Sequence, residues 1–295
     1  MKSAAVRNPI QLKNILLATD FSHAAASAQT FAAEIAQRFG ANLIAVHAKT
    51  PENHALPAIE IWPTLNAELE KEAEVLRTTL GKQCSGIQSE VVLADGGVWP
   101  VVEAIAQERH ADLIVVGTSG RSGLERFLLG SVAEQIIRQA KCPVLTVGPH
   151  AQFGASREAS FKKIVYATDF GEGSRVAALY AVALAQEHQA HLTLLHVIEN
   201  PKAGDLVHPQ EIEEAALLSL RGLVPTEADL WCEPRIVVRH GLPAEMILEV
   251  AEREQADLIV LGLRAAKGVG RATHLSNVAH RVLSHASCPV MTVRP

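Results

Sequence analysis

The stretch KNILLATDFS, Lys13 to Ser22, returns as KKIVYATDFG, Lys162 to Gly171, displaced by 149 residues (162 − 13). The register holds through AEIAQRFGANLIAVHA, ending at Ala48, and AVALAQEHQAHLTLLHV, ending at Val197. ADLIVVG from Ala111 returns as ADLIVLG from Ala256, and KCPVLTVGP from Lys141 as ASCPVMTVRP around Cys288, now 145 to 146 residues apart. Repetition over the whole of each half means one domain written twice. The expected domains are 1–149 and 161–295, joined by a small, polar and unrepeated linker, HAQFGASREAS, at 150–160. A chain of 295 residues suits two domains of ~100–200 residues each.

Within each copy, short apolar runs alternate with stretches of helical spacing. Asn14 to Thr19 reads as a buried strand, and Ala24 to Phe39 as a helix with Ala28, Phe31, Ile35 and Phe39 on one face. Strands follow at Asn42 to Ala48, Ser89 to Ala94, Asp112 to Gly117 and Pro143 to Val147. Helices are expected at Thr64 to Leu80, Val98 to Arg109 and Ser131 to Ala140. Strands regularly separated by helices imply right-handed crossovers. The fold class is therefore α/β, with two tandem doubly wound parallel five-stranded sheets covered by helices on both faces.

Composition supports this and excludes other classes. Hydrophobic residues make up 48% and aromatics only 4%, an aliphatic mixture suited to sheets buried on both faces. The net charge of −5 offers no basic field for nucleic acid. The longest apolar run, Val176 to Ala185, is short of the ~20 residues that span a bilayer, so no membrane contact is expected. The N-terminus lacks a signal-peptide pattern and the four cysteines form no CxxC pair, which places the chain in the cytoplasm with reduced thiols.

In a doubly wound sheet, ligands bind beyond the carboxyl ends of the strands where the strand order reverses. The first copy places Ala18, Thr19 and Asp20 after its first strand and Ala48 after its second. After its fourth come Val116, Gly117, Gly120 and Arg121. Gly117 and Gly120 would free the backbone through positive φ. Gly130, Ser131 and Val132 then open a helix whose unpaired N–H groups suit a phosphate chain, with Arg121 and Arg126 adding charge. The plainer reading is a glycine-rich turn with Ser131 as an ordinary N-cap. For Asp20 it is a turn acceptor before the helix. Neither a Walker A sequence nor GxGxxG is present.

ATDFS, the VH ending the second strand, ADLIVVG, and GxxGx9GS from Gly117 to Ser131 followed by CPVLTV together resemble the universal stress protein family of A type, in its tandem form. The resemblance covers nearly the whole chain and implies an adenine nucleotide alpha hydrolase-like fold. It also implies ATP, with or without Mg2+, with its triphosphate over Gly117, Gly120, Gly130, Ser131 and Val132. Thr19 and Asp20 would lie near the ribose and the Ala48 backbone would face the adenine edge. In that family the last strands pair domains, so a pseudo-twofold pairing of the two copies, doubled again into a homodimer, is expected.

The second copy departs from the pattern. Gly262 survives, Ala265 stands at the second glycine, and Leu275-Ser276 aligns with Gly130-Ser131, so the leucine is expected to crowd a phosphate. His188 with His191, and His274, His280 and His285, are poorly spaced for a metal. His47 and His196 read as structural hydrogen-bonding groups. No catalytic residue is assigned. The leading reading is an ATP-binding stress-response or regulatory protein, with its protein partner unidentified. The alternatives are a slow ATP hydrolase or other nucleotide-dependent enzyme, and a second domain that binds an apolar ligand or a protein partner.

Overall fold

The structure is a computed structural model that describes residues 10–49, 62–118, 129–148, 151, 161–199, 209–224, 230, 232–264 and 275–295. These fall into two compact units, one within Gln11–Pro149, the other within His150–Pro295 together with Ile10.

The first unit runs β1 (Asn14–Ala18), α1 (His23–Phe39), β2 (Asn42–Lys49), α2 (Trp62–Gln83), β3 (Ser89–Asp95), α3 (Val98–Glu108), β4 (Leu113–Gly117), α4 (Ser131–Gln139) and β5 (Val144–Val147). Its strands are parallel, in the order β3-β2-β1-β4-β5. The path moves outward through β2 and β3, then returns to the other side of β1. Right-handed crossovers therefore put α1 and α2 on one face and α3 and α4 on the other, and α1 meets α2 as α3 meets α4. The strand order reverses between β1 and β4, so that pair opens the crevice.

The second unit repeats the scheme with β6 (Lys163–Thr168), α5 (Glu172–His188), β7 (His191–Ile198), α6 (Pro209–Arg221), β8 (Arg235–His240), α7 (Pro243–Glu254), β9 (Leu258–Gly262), α8 (Asn277–His285) and β10 (Val290–Val293). Its order is β8-β7-β6-β9-β10, again parallel. The expected fold class holds in both units.

The central strands are apolar because both of their faces are covered, whereas the edge strands β3 and β8 are mostly half-buried. Ile15, Leu16, Leu17, Leu43, Leu113 and Val115 have no exposed surface. Helix ends obey local chemistry: Ser22 Oγ accepts from Ala25 N–H to start α1, and Gly40 at φ 62° ends it in the left-handed region. The aspartate of each ADLIV segment pins the register of the central strands. Asp112 Oδ2 accepts from the N–H groups of Lys13 and Asn14 at 2.7 and 3.0 Å, and Asp257 Oδ2 from those of Lys162 and Lys163 at 2.8 and 2.9 Å. One strand-to-helix ion pair recurs with its charges exchanged: Glu90 of β3 with Arg109 at the end of α3 in the first unit, Arg235 of β8 with Glu254 at the end of α7 in the second.

Candidate functional site

At the carboxyl end of β1 the chain makes a sharp turn. Ala18 pairs with Val46 on one side and Val116 on the other, and Thr19 N–H donates to Val46 O at 3.0 Å. Thr19 Oγ1 then accepts from Phe21 N–H at 3.1 Å, and Asp20 Oδ1 from Ser22 N–H at 2.9 Å. These two side chains hold Phe21 at φ 59°, a strained value for a bulky residue. The Phe21 ring rests 4.6 Å from that of His47, whose Nδ1 donates to Thr19 O at 2.9 Å. His47 is 4% exposed and acts as a structural bolt between β2 and this turn. Ala48 follows it, buried and paired with Ala94.

On the β4 side, Gly117 ends the strand paired with Val147, and Thr118 N–H donates to Val147 O at 2.9 Å. The positive-φ glycines among the described residues are Gly40, Gly86, Gly96 and Gly241, so the expectation of positive φ at Gly117 is corrected. It is extended because it still belongs to the ladder. Gly120, Arg121 and Arg126 lie outside the described residues.

The chain returns at Leu129. Gly130, not Ser131, is the N-cap of α4: it is extended at φ −61° and ψ 146°, its carbonyl accepts from Glu134 N–H, and Ser131 is already helical. No side chain among the described residues caps this helix. The reading of Ser131 as the cap is therefore wrong by one position. Gly130 is needed for closeness rather than for φ. Its N–H donates to Thr118 O at 2.8 Å, and a Cβ there would meet the same oxygen at 3.0 Å. Exposed Ser131 and Val132 begin the helix, and the first turn offers N–H groups and the positive dipole end. The structure thus brings Ala18, Thr19, Asp20, Val116 and Gly117 to the ends of adjacent strands. Gly130 is tied to the same region through Thr118.

The equivalent region of the second unit is built differently. Phe170 repeats φ 59°, and Phe170 and His196 repeat the ring contact at 4.4 Å. Asp169, however, is fully engaged. Oδ1 accepts from Ser174 Oγ–H at 2.7 Å and Gly171 N–H at 2.9 Å, and Oδ2 accepts from the Arg264 guanidinium at 3.1 and 3.2 Å. Burial raises the pKa of this carboxyl, but the bonds from Ser174, Gly171 and Arg264 outweigh it and the net shift is downward. Tyr166, fully buried where the first unit has Leu17, donates its hydroxyl to Ser174 O at 2.6 Å. The first turn of α5 lies directly on the end of β9. A Cβ on Gly173 would sit 1.9 Å from Leu263 O, and one on Gly262 only 2.3 Å from Ser174 N.

The return to α8 corrects the alignment. Ser276 is the N-cap of α8 and matches Gly130 at a displacement of 146 (276 − 130), so Leu275 matches buried Leu129 and faces no phosphate. Ser276 Oγ accepts from Ala279 N–H at 3.2 Å and closes that helix end on itself. The sequence reading missed both the α5–β9 contact and this cap. Gly173 in place of Ala24 was the available signal for the first.

A model of the universal stress protein family matches residues 11–148 and again 160–294. The chain belongs to the universal stress protein family. A universal stress protein of Mycolicibacterium smegmatis is 28% identical over 295 residues, covering 95% of this chain and 97% of its own. One from Methanocaldococcus jannaschii is 34% identical over 149 residues, 49% of this chain and 88% of that protein. The crystal structure of a universal stress protein from Archaeoglobus fulgidus shares the fold at a TM-score of 0.68 and 20% identity, covering 97% of this chain and 99% of that one. Among the described residues no helix is long and apolar enough to cross a membrane, and no three His, Cys, Asp or Glu side chains gather as metal ligands.

Proposed function

We propose that this universal stress protein binds ATP through its first repeat and uses occupancy to bias a regulatory contact in the cytoplasm. The observation that carries the reading is the start of α4. Backbone alone faces the crevice at Gly130, a Cβ would reduce the space, and no described side chain competes for the first-turn N–H groups. Phosphates would take those N–H groups through Gly130, Ser131 and Val132. Gly117 would pass beneath them, and Gly120 and Arg121 would add to the site from the intervening stretch of sequence. Thr19 and Asp20 would meet the ribose, and Ala18, Val116 and the Ala48 backbone would border the base. A Mg2+ ion carried by the nucleotide would offset charge on the triphosphate, with Asp20 a carboxylate at the end of β1. The pairing of the two repeats and a homodimer belong to the same proposal, and sedimentation of the full chain tests the latter.

Thermal-shift titration with Mg-ATP tests binding. A ligand at 100 times its Kd stabilises the native state by ~2.7 kcal/mol. No shift at millimolar ATP overturns the proposal. Gly130→Asp, which sets a carboxylate against the phosphates, is expected to abolish the shift. Sustained phosphate release over many turnovers would make the protein an enzyme rather than a binder.

A further inference from the structure

The last turn of α5 and the residue that leads into β6 meet through a histidine. Phe161 N–H donates to His188 Nδ1 at 3.2 Å, the two rings lie 5.0 Å apart, and neither residue exposes more than 1% of its surface. A backbone N–H can only donate, so Nδ1 accepts, the ring proton is on Nε2 and the imidazole is neutral. An imidazolium carries hydrogen on both nitrogens and cannot make this bond. The first unit has Phe39 and Leu12 at the matching positions (188 − 149 = 39 and 161 − 149 = 12), a pair with no titrating group.

The same turn is closed by a more strained cap than its counterpart. α1 ends on Gly40 at φ 62°, whereas α5 ends on Gln189 at φ 49° and ψ 52°. Glycine takes the left-handed region freely and a glutamine does not, so the end of α5 leans on the contacts that His188 makes. The His188 carbonyl accepts from Lys162 Nζ at 3.0 Å, which brings an ammonium close to the ring. α5 packs on β6, β7, β9 and β10. At this end of the sheet those strands bring Lys163, His191, the Asp257 carboxylate just before β9 and the Cys288 thiol just before β10, and α5 itself adds Glu187. Asp257 Oδ2 is already bound to the N–H groups of Lys162 and Lys163, and burial pushes the Cys288 thiol up to about 12, so it stays neutral. The C-terminal dipole of α5 favours a cation here. Against it stand a fully buried ring, a committed Nδ1 and a neighbouring ammonium, and these hold His188 neutral.

We propose that His188 is an acid-sensitive latch on the second repeat: its protonation is incompatible with the bond to Phe161, so acidification opens the joint between α5 and the entry to β6. With the joint closed the ring is neutral. With it open the ring meets water and titrates near ~6.5. Below that value the open form binds a proton that the closed form refuses, and opening gains roughly tenfold for each further pH unit. The latch is therefore at full strength above ~6.5 and weakens as pH falls below it. Opening bares the Phe161 ring, which is otherwise buried. The first repeat, with Phe39 in place of the histidine, has no such response at this joint. The inference does not rest on nucleotide binding.

The test is amide hydrogen exchange of the full chain at pH 7.5, 6.0 and 5.0, read by mass spectrometry on peptides carrying the Phe161 amide and corrected for intrinsic exchange. Protection at Phe161 should fall about 30-fold across that range, while peptides from β9 stay within about twofold. His188→Asn sets an amide oxygen near the place of Nδ1 and cannot titrate, so its Phe161 protection should also stay within about twofold. His188→Phe, which imports the first unit's residue, should show low protection at every pH. Nitrogen NMR of the histidine rings should place the His188 proton on Nε2 at pH 7.5. Unchanged Phe161 protection in the unsubstituted chain, or a ring proton on Nδ1, overturns the latch. A fall shared equally by β9 is unfolding of the whole unit and overturns it too. An equal fall in His188→Asn overturns the role of the imidazole. Exchange and ring tautomer are both read on the unsubstituted chain, so a variant that fails to fold leaves the proposal falsifiable.

Discussion

The two repeats share strand order, turn geometry and the histidine bolt, yet they end their crevices in opposite ways. In the first, the carbonyl after β4 accepts the Gly130 N–H and the helix beyond it has no described side-chain cap. In the second, the carbonyl after β9 abuts Gly173, the aspartate is neutralised by Arg264, and Ser276 caps its own helix. The same polar groups that could meet a ligand in one copy are satisfied within the chain in the other. Duplication thus lets one copy keep exposed donors, which cost stability, while the other converts them into internal bonds.

The contrast breaks most severely at Gly173. Gly173→Ala would force a methyl to within 1.9 Å of the Leu263 backbone oxygen, where neither neighbour is a flexible side chain. Overpacking of this kind costs ~1–3 kcal/mol and occasionally more, and the upper end is expected here. Urea unfolding followed by circular dichroism reads it. A loss below ~0.5 kcal/mol would show that α5 can withdraw from β9 freely, and the account of a closed second crevice would fail.

Next in size is an exchange of caps. Gly130→Ser copies the second unit's residue, and its hydroxyl would compete for the N–H groups offered to phosphate. Its Cβ would also press on Thr118 O. Any thermal shift with ATP should fall at least to half, from the ~2.7 kcal/mol attainable at 100 times the Kd. The reciprocal Ser276→Ala should cost ~1 kcal/mol through the lost cap and yield no nucleotide response. A gain of ATP binding in Ser276→Ala would mean that the α5–β9 packing is no barrier.

The limits of sequence reading follow the same division. Periodicity placed every strand and helix of the first copy within about three residues, because β1 and β4 are buried on both faces and α1 on one, which writes their burial into residue order. Asp112 and Asp257 stood inside a visible motif, but their bonds to residues 98 and 94 positions away exist only once strand register is set. The Gly130 counterpart was missed by one residue because the spacing from Gly117 to Gly130 and that from Gly262 to Ser276 differ by one, and alignment from the ADLIV side does not carry across. Gly262 stands in the sequence as the surviving glycine of the motif. Its Cβ space is in fact filled by Ser174 backbone, a contact between elements about 90 residues apart that no local pattern encodes.

The smallest expected effect sharpens the comparison of α1 with α5. Glu34 stands where the second unit has buried Ala183 (183 − 34 = 149). Its Oε2 has no partner among the described residues, and burial pushes its pKa from the usual carboxylate range to about 7. In the unfolded chain the group titrates near ~4.3, so between that value and about 7 the native state holds a proton that the unfolded state has released. Stability must therefore fall as pH rises through this window and level off above it. Glu34→Gln keeps the shape and removes the titration, so its Tm should fall less between pH 5 and pH 8. A gain at pH 8 on the order of 2–4 °C is expected, roughly what 1 kcal/mol gives in a domain of this size. Parallel Tm profiles for the two proteins would place the Glu34 carboxylate in water, and α1 would then differ from α5 in sequence without differing in environment.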